Sequence, residues 1–299
     1  MTRALAAIAI VLATATVVAT QAPVYRARTE LVAISASVKR GNAPVGNLTS
    51  SDFALFDEDV PQTIEALTIE SVPLDVTLFM DTSGSTAGSL DQMKRNVSSI
   101  AAMLRAEDRF RLITIGLSVE MPVPWRAGGR GLTLDMQAVP GISLVYDALA
   151  VALAHEPEPG RRHLIVALTD GEDCGSVLDG SRVLDMSARS EAVLHWIWVS
   201  NSGDGPPFGV SAWCTPGDAR EIDYVGQTAE RTGGDKHRSH FGDPAVRTFR
   251  QILDEFRQSY VLRYSPSGVK PGSWHRVRVT VPAQPTYAIK FRSGYFAGR

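Results

Sequence analysis
The run Asp81-Thr82-Ser83-Gly84-Ser85 places one carboxylate and two hydroxyls at alternate positions, and Gly84 lets the backbone turn so that the three oxygens can converge. Two other loops offer donors of the same kind. Leu168-Thr169-Asp170-Gly171 closes an apolar run with a second carboxylate, and Gly141-Ile142-Ser143, just before Tyr146-Asp147, adds a hydroxyl. Asp81, Ser83, Ser85, Ser143 and Asp170 are all hard oxygen donors, a set that suits a divalent cation, Mg2+ in the first place with Mn2+ or Ca2+ as alternatives. Two carboxylates balance one such ion. Hydroxyls and water then fill most remaining positions and leave one exchangeable, which a carboxylate from outside is suited to take.

Plainer roles compete with this one. Asp81 and its serines could cap a helix, and Asp170-Gly171-Glu172-Asp173 alone is an acidic turn. Ser83 lacks the Gly-x-Ser-x-Gly elbow of a nucleophile, and no particular His can be assigned as its base. The expectation is therefore a binding module and not an enzyme. A hydrolase using Ser83 or metal-activated water is one alternative, and a structural envelope component with a vestigial cation site is another. His237 and His240 read as a solvated loop, Trp196 and Trp198 as core or sheet packing, and Arg161-Arg162 and Glu107-Asp108-Arg109 as solvated connections. Asn47-Leu48-Thr49 and Asn96-Val97-Ser98 match the glycosylation triplet, a pattern frequent by chance.

The donor loops need a scaffold that ends several strands at one edge. After Pro73 the pattern alternates between short apolar runs and helical spacing. Val76 to Met80, Arg111 to Gly116, His163 to Thr169 and Val193 to Val199 read as strands. Between and after them, Leu90 to Leu104, Leu144 to Ala154, Ser181 to Ala192, a segment from about Asp218 to Gly233-Gly234, and one capped by Asp243-Pro244 read as helices. This alternation predicts an α/β fold, a doubly wound and mostly parallel sheet whose carboxyl edge carries Asp81 and Asp170. Residues 23–72 and 259–299 are β-rich instead, with Tyr260 to Tyr264, His275 to Val281 and Ala288 to Arg292 as strands between Pro/Gly turns. They are expected to pack together as a smaller all-β domain flanking an α/β domain of residues 73–258.

With 299 residues, 30 Lys+Arg against 32 Asp+Glu, and 44% hydrophobic but only 7% aromatic residues, the chain is a mixed globular protein with room for two domains. Near-neutral charge argues against a nucleic-acid partner, and two cysteines exclude a four-Cys zinc site. Residues 1–22 read as a signal peptide: Arg3 precedes the apolar run from Ala4 to Ala19, with cleavage after Ala19 or Ala22. No later segment is apolar and long enough to span a membrane. A secreted or periplasmic location follows, where Cys174 and Cys214 would meet oxidising conditions and could form a disulfide. The sequence is silent on the oligomeric state.

The three donor loops, in this order after apolar strands, resemble the von Willebrand factor type A domain. That family's metal-ion-dependent adhesion site uses an Asp-x-Ser-x-Ser loop, a Thr on a second loop and an Asp on a third. The resemblance assigns those places to Asp81, Ser83, Ser85, Ser143 and Asp170. It implies that the hydroxyls contact the ion directly and that the aspartates often act through water. Ser143 stands where Thr is usual, keeping the hydroxyl but losing the methyl and its rotamer restriction. The resemblance also implies a protein ligand offering an Asp or Glu carboxylate, and in some members a shift of the last helix, here Pro244 to Phe256. The flanks Asp52-Phe53-Ala54-Leu55-Phe56-Asp57-Glu58 with Pro61-Gln62, Tyr260 to Tyr264, and Arg292-Ser293-Gly294-Tyr295-Phe296 are similar to those of the bacterial von Willebrand factor A-related family first noted in acidobacteria.

Overall fold
The computed structural model describes residues 31–69, 71–83, 90–129, 131–137, 143–171, 173–200, 224–240 and 245–297. In chain order its strands begin with β1 (Val32–Arg40), β2 (Ala43–Pro44), β3 (Ala54–Asp57), β4 (Val60–Gln62) and β5 (Ala66–Ile69). There follow β6 (Leu74–Asp81), β7 (Arg109–Ile115), β8 (Val119–Ala127), β9 (Arg162–Thr169), β10 (Val193–Ser200) and β11 (Lys236–His240). The last are β12 (Tyr260–Tyr264), β13 (Trp274–Thr280), β14 (Ala288–Phe291) and β15 (Gly294–Phe296). The helices are α1 (Leu90–Ala101), α2 (Val145–Leu153), α3 (Gly180–Ser187), α4 (Tyr224–Thr232) and α5 (Ala245–Arg257).

Strand β6 is buried at every position because both faces of its sheet are covered. The sheet runs β11-β10-β9-β6-β7-β8, parallel throughout except for the antiparallel β7–β8 pair. Leu74, Val76, Leu78 and Met80 point to one face, where they pack with α1 and α5. Asp75, Thr77, Phe79 and Asp81 point to the other, where Phe79 joins the apolar cluster of α2, α3 and α4. Leaving β6 the chain goes first to β7, and later returns to the opposite side of β6 through β9. The carboxyl ends of β6 and β9 therefore flank the point where strand order reverses, the crevice where open α/β sheets place ligands.

The flanking segments form two antiparallel sheets, β14-β1-β12-β5 with β2 on β1, and β15-β13-β3-β4. They enclose an apolar cluster that includes Ile34, Leu55, Leu262 and Val277. The outer face of β1 meets the α/β unit through polar contacts. Ser37 Oγ and Lys39 Nζ reach the Glu255 carboxylate at 2.6 and 2.8 Å, and Arg162 donates to Ser35 Oγ, Ser259 Oγ and the Phe256 carbonyl.

Several elements differ from the sequence expectation. Strand β8 carries Pro122 and Pro124, which an edge strand tolerates because one row of its backbone groups needs no ladder partner. His237 lies on strand β11 with its Nε2 3.0 Å from Nδ1 of buried His195, not in a solvated loop. Arg161 is no solvated connection either, since its guanidinium reaches Asp75 and the Leu74 carbonyl. Helix α3 stops at Ser187 rather than near Ala192. The signal segment 1–22, Ser85, Cys214, and the expected helix starts at Asp218 and Asp243-Pro244 lie outside the described residues.

Candidate functional site
Asp81, the last residue of β6, is fully buried at the carboxyl edge of the sheet. The chain then turns over its carboxylate: the Ser83 N–H donates to Asp81 Oδ1 at 2.8 Å, and Thr82 is tied to the Ile115 carbonyl by both its N–H and its Oγ1, each at 2.8 Å. Those bonds fix Thr82 and Ser83, the described start of the first donor loop, against the ends of β6 and β7. Ser143 and Thr169 complete the cluster, with Ser143 Oγ 3.3 Å and Thr169 Oγ1 3.0 Å from Asp81 Oδ2. Asp170 follows directly at the same edge, half-buried.

Three of the five expected donors, Asp81, Ser83 and Ser143, are thus in mutual contact or one hydrogen bond apart, and Asp170 adjoins them through Thr169. Ser85 lies outside the described residues. Thr169 is a participant that sequence reading missed. The available signal was its place as the last residue of β9, in register to face the same side as Asp81. Its Oγ1 also accepts the Gly171 N–H at 3.0 Å, so one hydroxyl links Asp81 to the loop that carries Asp170.

Trp196 holds that loop from below. Its Nε1–H donates to the Thr169 carbonyl at 3.0 Å, and its ring lies where a side chain on Gly171 would go. Gly171 has φ +82°, and a Cβ there would sit 2.3 Å from the ring. Gly171→Ala is accordingly expected to cost at least about 2 kcal/mol, from left-handed backbone strain and overpacking together. Urea denaturation would measure it, and an unchanged midpoint would contradict the packing described.

Burial pushes the Asp81 carboxyl above its ordinary pKa, against the opposing pull of hydrogen bonds from Ser83, Thr169 and Ser143. A carboxylate in that position is stabilised by positive charge placed against it. Among the described residues no three His, Cys, Asp or Glu side chains gather as a metal cluster. The donors here are instead carboxylates with neutral hydroxyls, which suits a hard cation and fits the donor set read from the sequence. Cys174, four residues past Asp170, is disulfide-bonded and donates its N–H to the Ser143 carbonyl at 2.8 Å.

No protein-family model matches this chain, and no curated protein matches it. Solved structures similar to it include von Willebrand factor type A (VWA) domains. The SpRpn10 VWA domain is 15% identical with a TM-score of 0.41, covering 60% of this chain and 94% of that one. Proximal thread matrix protein 1 from the mussel byssus, with a zinc-occupied MIDAS motif, is 13% identical with a TM-score of 0.47, covering 68% of this chain and 50% of that one. Manganese-loaded TRAP protein of Plasmodium vivax is 10% identical with a TM-score of 0.41, covering 82% of this chain and all of that one (100%).

Proposed function
We propose that this chain is a binding module that works outside the cytoplasm and grips an acidic side chain of a partner protein through a divalent cation. The observation that carries the reading is the meeting of Ser83, Ser143 and Thr169 on the buried carboxylate of Asp81, at the point of strand-order reversal. Asp81, Ser83, Ser85, Ser143 and Asp170 would hold the ion, Mg2+ first, with Mn2+ or Ca2+ as alternatives. When bound, it supplies a positive charge with an exchangeable position for an external carboxylate. Asp81 supplies buried negative charge, Thr82 anchors its loop to β7, and the serines contribute neutral oxygens. Ser83 also hydrogen-bonds Asp81 through its side chain, which favours a positioning hydroxyl over a nucleophile and a binding role over an enzymatic one. The disulfide at Cys174 favours an oxidising compartment, in keeping with the N-terminal signal pattern. Among the described residues no helix is long and apolar enough to cross a membrane.

Protein stripped with EDTA should melt several degrees higher once Mg2+ is restored, because a ligand at a hundred times its Kd stabilises the folded state by about 2.7 kcal/mol. Asp81→Ala should remove that response. Equal responses in variant and wild type would refute the cation site. A partner captured with Mg2+, released by chelator and lost on Asp170→Ala would supply the acidic ligand.

A further inference from the structure
Helix α2 begins without a cap of its own. Its N-cap residue is Leu144, which has no side-chain hydrogen-bond acceptor, yet the first N–H groups of a helix need partners. The partners come from the third donor loop. Asp173 Oδ1 accepts the Tyr146 N–H at 3.0 Å, and Ser176 Oγ accepts the Asp147 N–H at 3.0 Å. The favour is returned: Asp147 Oδ2 and Oδ1 accept the N–H groups of Val177 and Leu178, both at 3.0 Å. Asp173 also folds its own loop by accepting from Ser176 Oγ at 2.5 Å and from the Ser176 N–H at 3.2 Å. Together with the bond from Cys174 N–H to the Ser143 carbonyl, these contacts tie residues 143–147 to residues 173–178 at five points.

We propose that Asp147 and Asp173 are positioning residues for the cation site, clasping the loop that bears Ser143 to the loop that bears Asp170. This rests on the function proposed above. Neither carboxylate is placed among the ion's ligands. Each acts by holding the backbone that presents one, so that Ser143 and Asp170 keep their separation whether or not an ion is present. The negative charge of Asp173 at the α2 N-terminus also suits the helix dipole, which makes the cap stronger than a neutral one. Outer residues that orient metal ligands typically cost 10–100-fold in metal affinity when removed.

The test is Mg2+ and Mn2+ titration calorimetry on chelator-treated protein, alongside melting temperatures measured without metal. Asp147→Ala and Asp173→Ala should each weaken cation binding at least tenfold. Asp147→Asn, which keeps one of the two acceptors, should lose less, as should the milder Ser176→Ala. Asp179→Ala is the control. That residue caps α3 by accepting from the Arg182 N–H at 2.9 Å and from Ser181 Oγ at 2.6 Å, both within the start of its own helix. It should lower the melting temperature and leave cation affinity unchanged, which separates a positioning role from a merely structural one. Wild-type binding with unaltered affinity in folded Asp147→Ala and Asp173→Ala would overturn the clasp and leave the cation site standing, as would, should either fail to fold, an Asp147→Asn variant that binds as tightly as wild type. Affinity lost equally in Asp179→Ala would overturn it too, and no binding by the wild type would overturn both.

Discussion

Replacing Asp75 by alanine is expected to lower folding stability by about 3–5 kcal/mol, the cost of removing one partner from a buried ion cluster. Asp75 lies at the amino end of β6 with its side chain fully buried. Arg109 binds it with two nitrogens, Nε at 3.0 Å and Nη2 at 2.7 Å; Arg161 Nε lies at 2.5 Å and His155 Nε2 at 3.0 Å. Burial alone would push its carboxyl up, but the hydrogen bonds from Arg109, His155 and Arg161 outweigh it and hold the group well below the usual carboxylate range. Alanine would leave those donors gathered around a gap, and among the described residues Glu158, which is exposed, would be the carboxylate left to Arg109. The loss should appear as a lower urea midpoint. Asp81 is six residues further along the same strand, roughly 20 Å away, so cation affinity of the folded variant should match the wild type. A loss of unfolding free energy below about 1 kcal/mol would show that the cluster is not the lock described.

That lock shows where sequence reading stops. The apolar runs of β6, β9 and β10 and the amphipathic spacing of α1 and α5 reveal themselves because burial on both faces, or on one stripe, leaves a periodic pattern. Arg161 leaves no such trace, since a charged residue before a strand looks the same whether it faces water or a carboxylate 86 positions earlier. Strand β11 was missed for a related reason: Lys236-His237-Arg238-Ser239-His240 is polar, and it forms a strand because it adds to the edge of β10. At the candidate site the donor types and their order were legible, as was their placement after apolar runs. The contact of Thr169 with Asp81 and the clasp between Asp147 and Asp173 were not. They depend on which side chains meet across 27 to 88 positions of chain, which no local pattern records.

Acidification from pH 7 to pH 4.5 should destabilise the protein steeply, through histidines the fold buries without a proton to spare. His163 is enclosed beneath Trp125 and His155, with Nε2 2.8 Å from Thr77 Oγ1 and a buried Nδ1 that finds no hydrogen-bond partner among the described residues. Burial, helped by the nearby charges of His155 and Arg111, pushes it down to about 3. His195 is lowered by its burial and by His237, Lys290 and Lys39, and His237 is lowered by burial as well. The two rings meet at 3.0 Å, nitrogen to nitrogen, so one must donate and the other accept. In each case the folded pKa lies below the unfolded value near 6.5, and the unfolded chain takes up more protons. Stability is therefore whole above about pH 7 and falls as pH drops through 6.5 toward the folded pKa. One proton excluded from His163 is worth about 2.7 kcal/mol at pH 4.5, at 1.36 kcal/mol per pH unit. The depressed carboxyl of Asp75 acts in a different window, losing its contribution only as pH falls below about 4, so the two effects separate. Urea midpoints measured between pH 7 and pH 4.5 should show the decline, and His163→Gln should make it shallower by roughly 1.4 kcal/mol per pH unit. Identical slopes in variant and wild type would mean that His163 takes up its proton without unfolding.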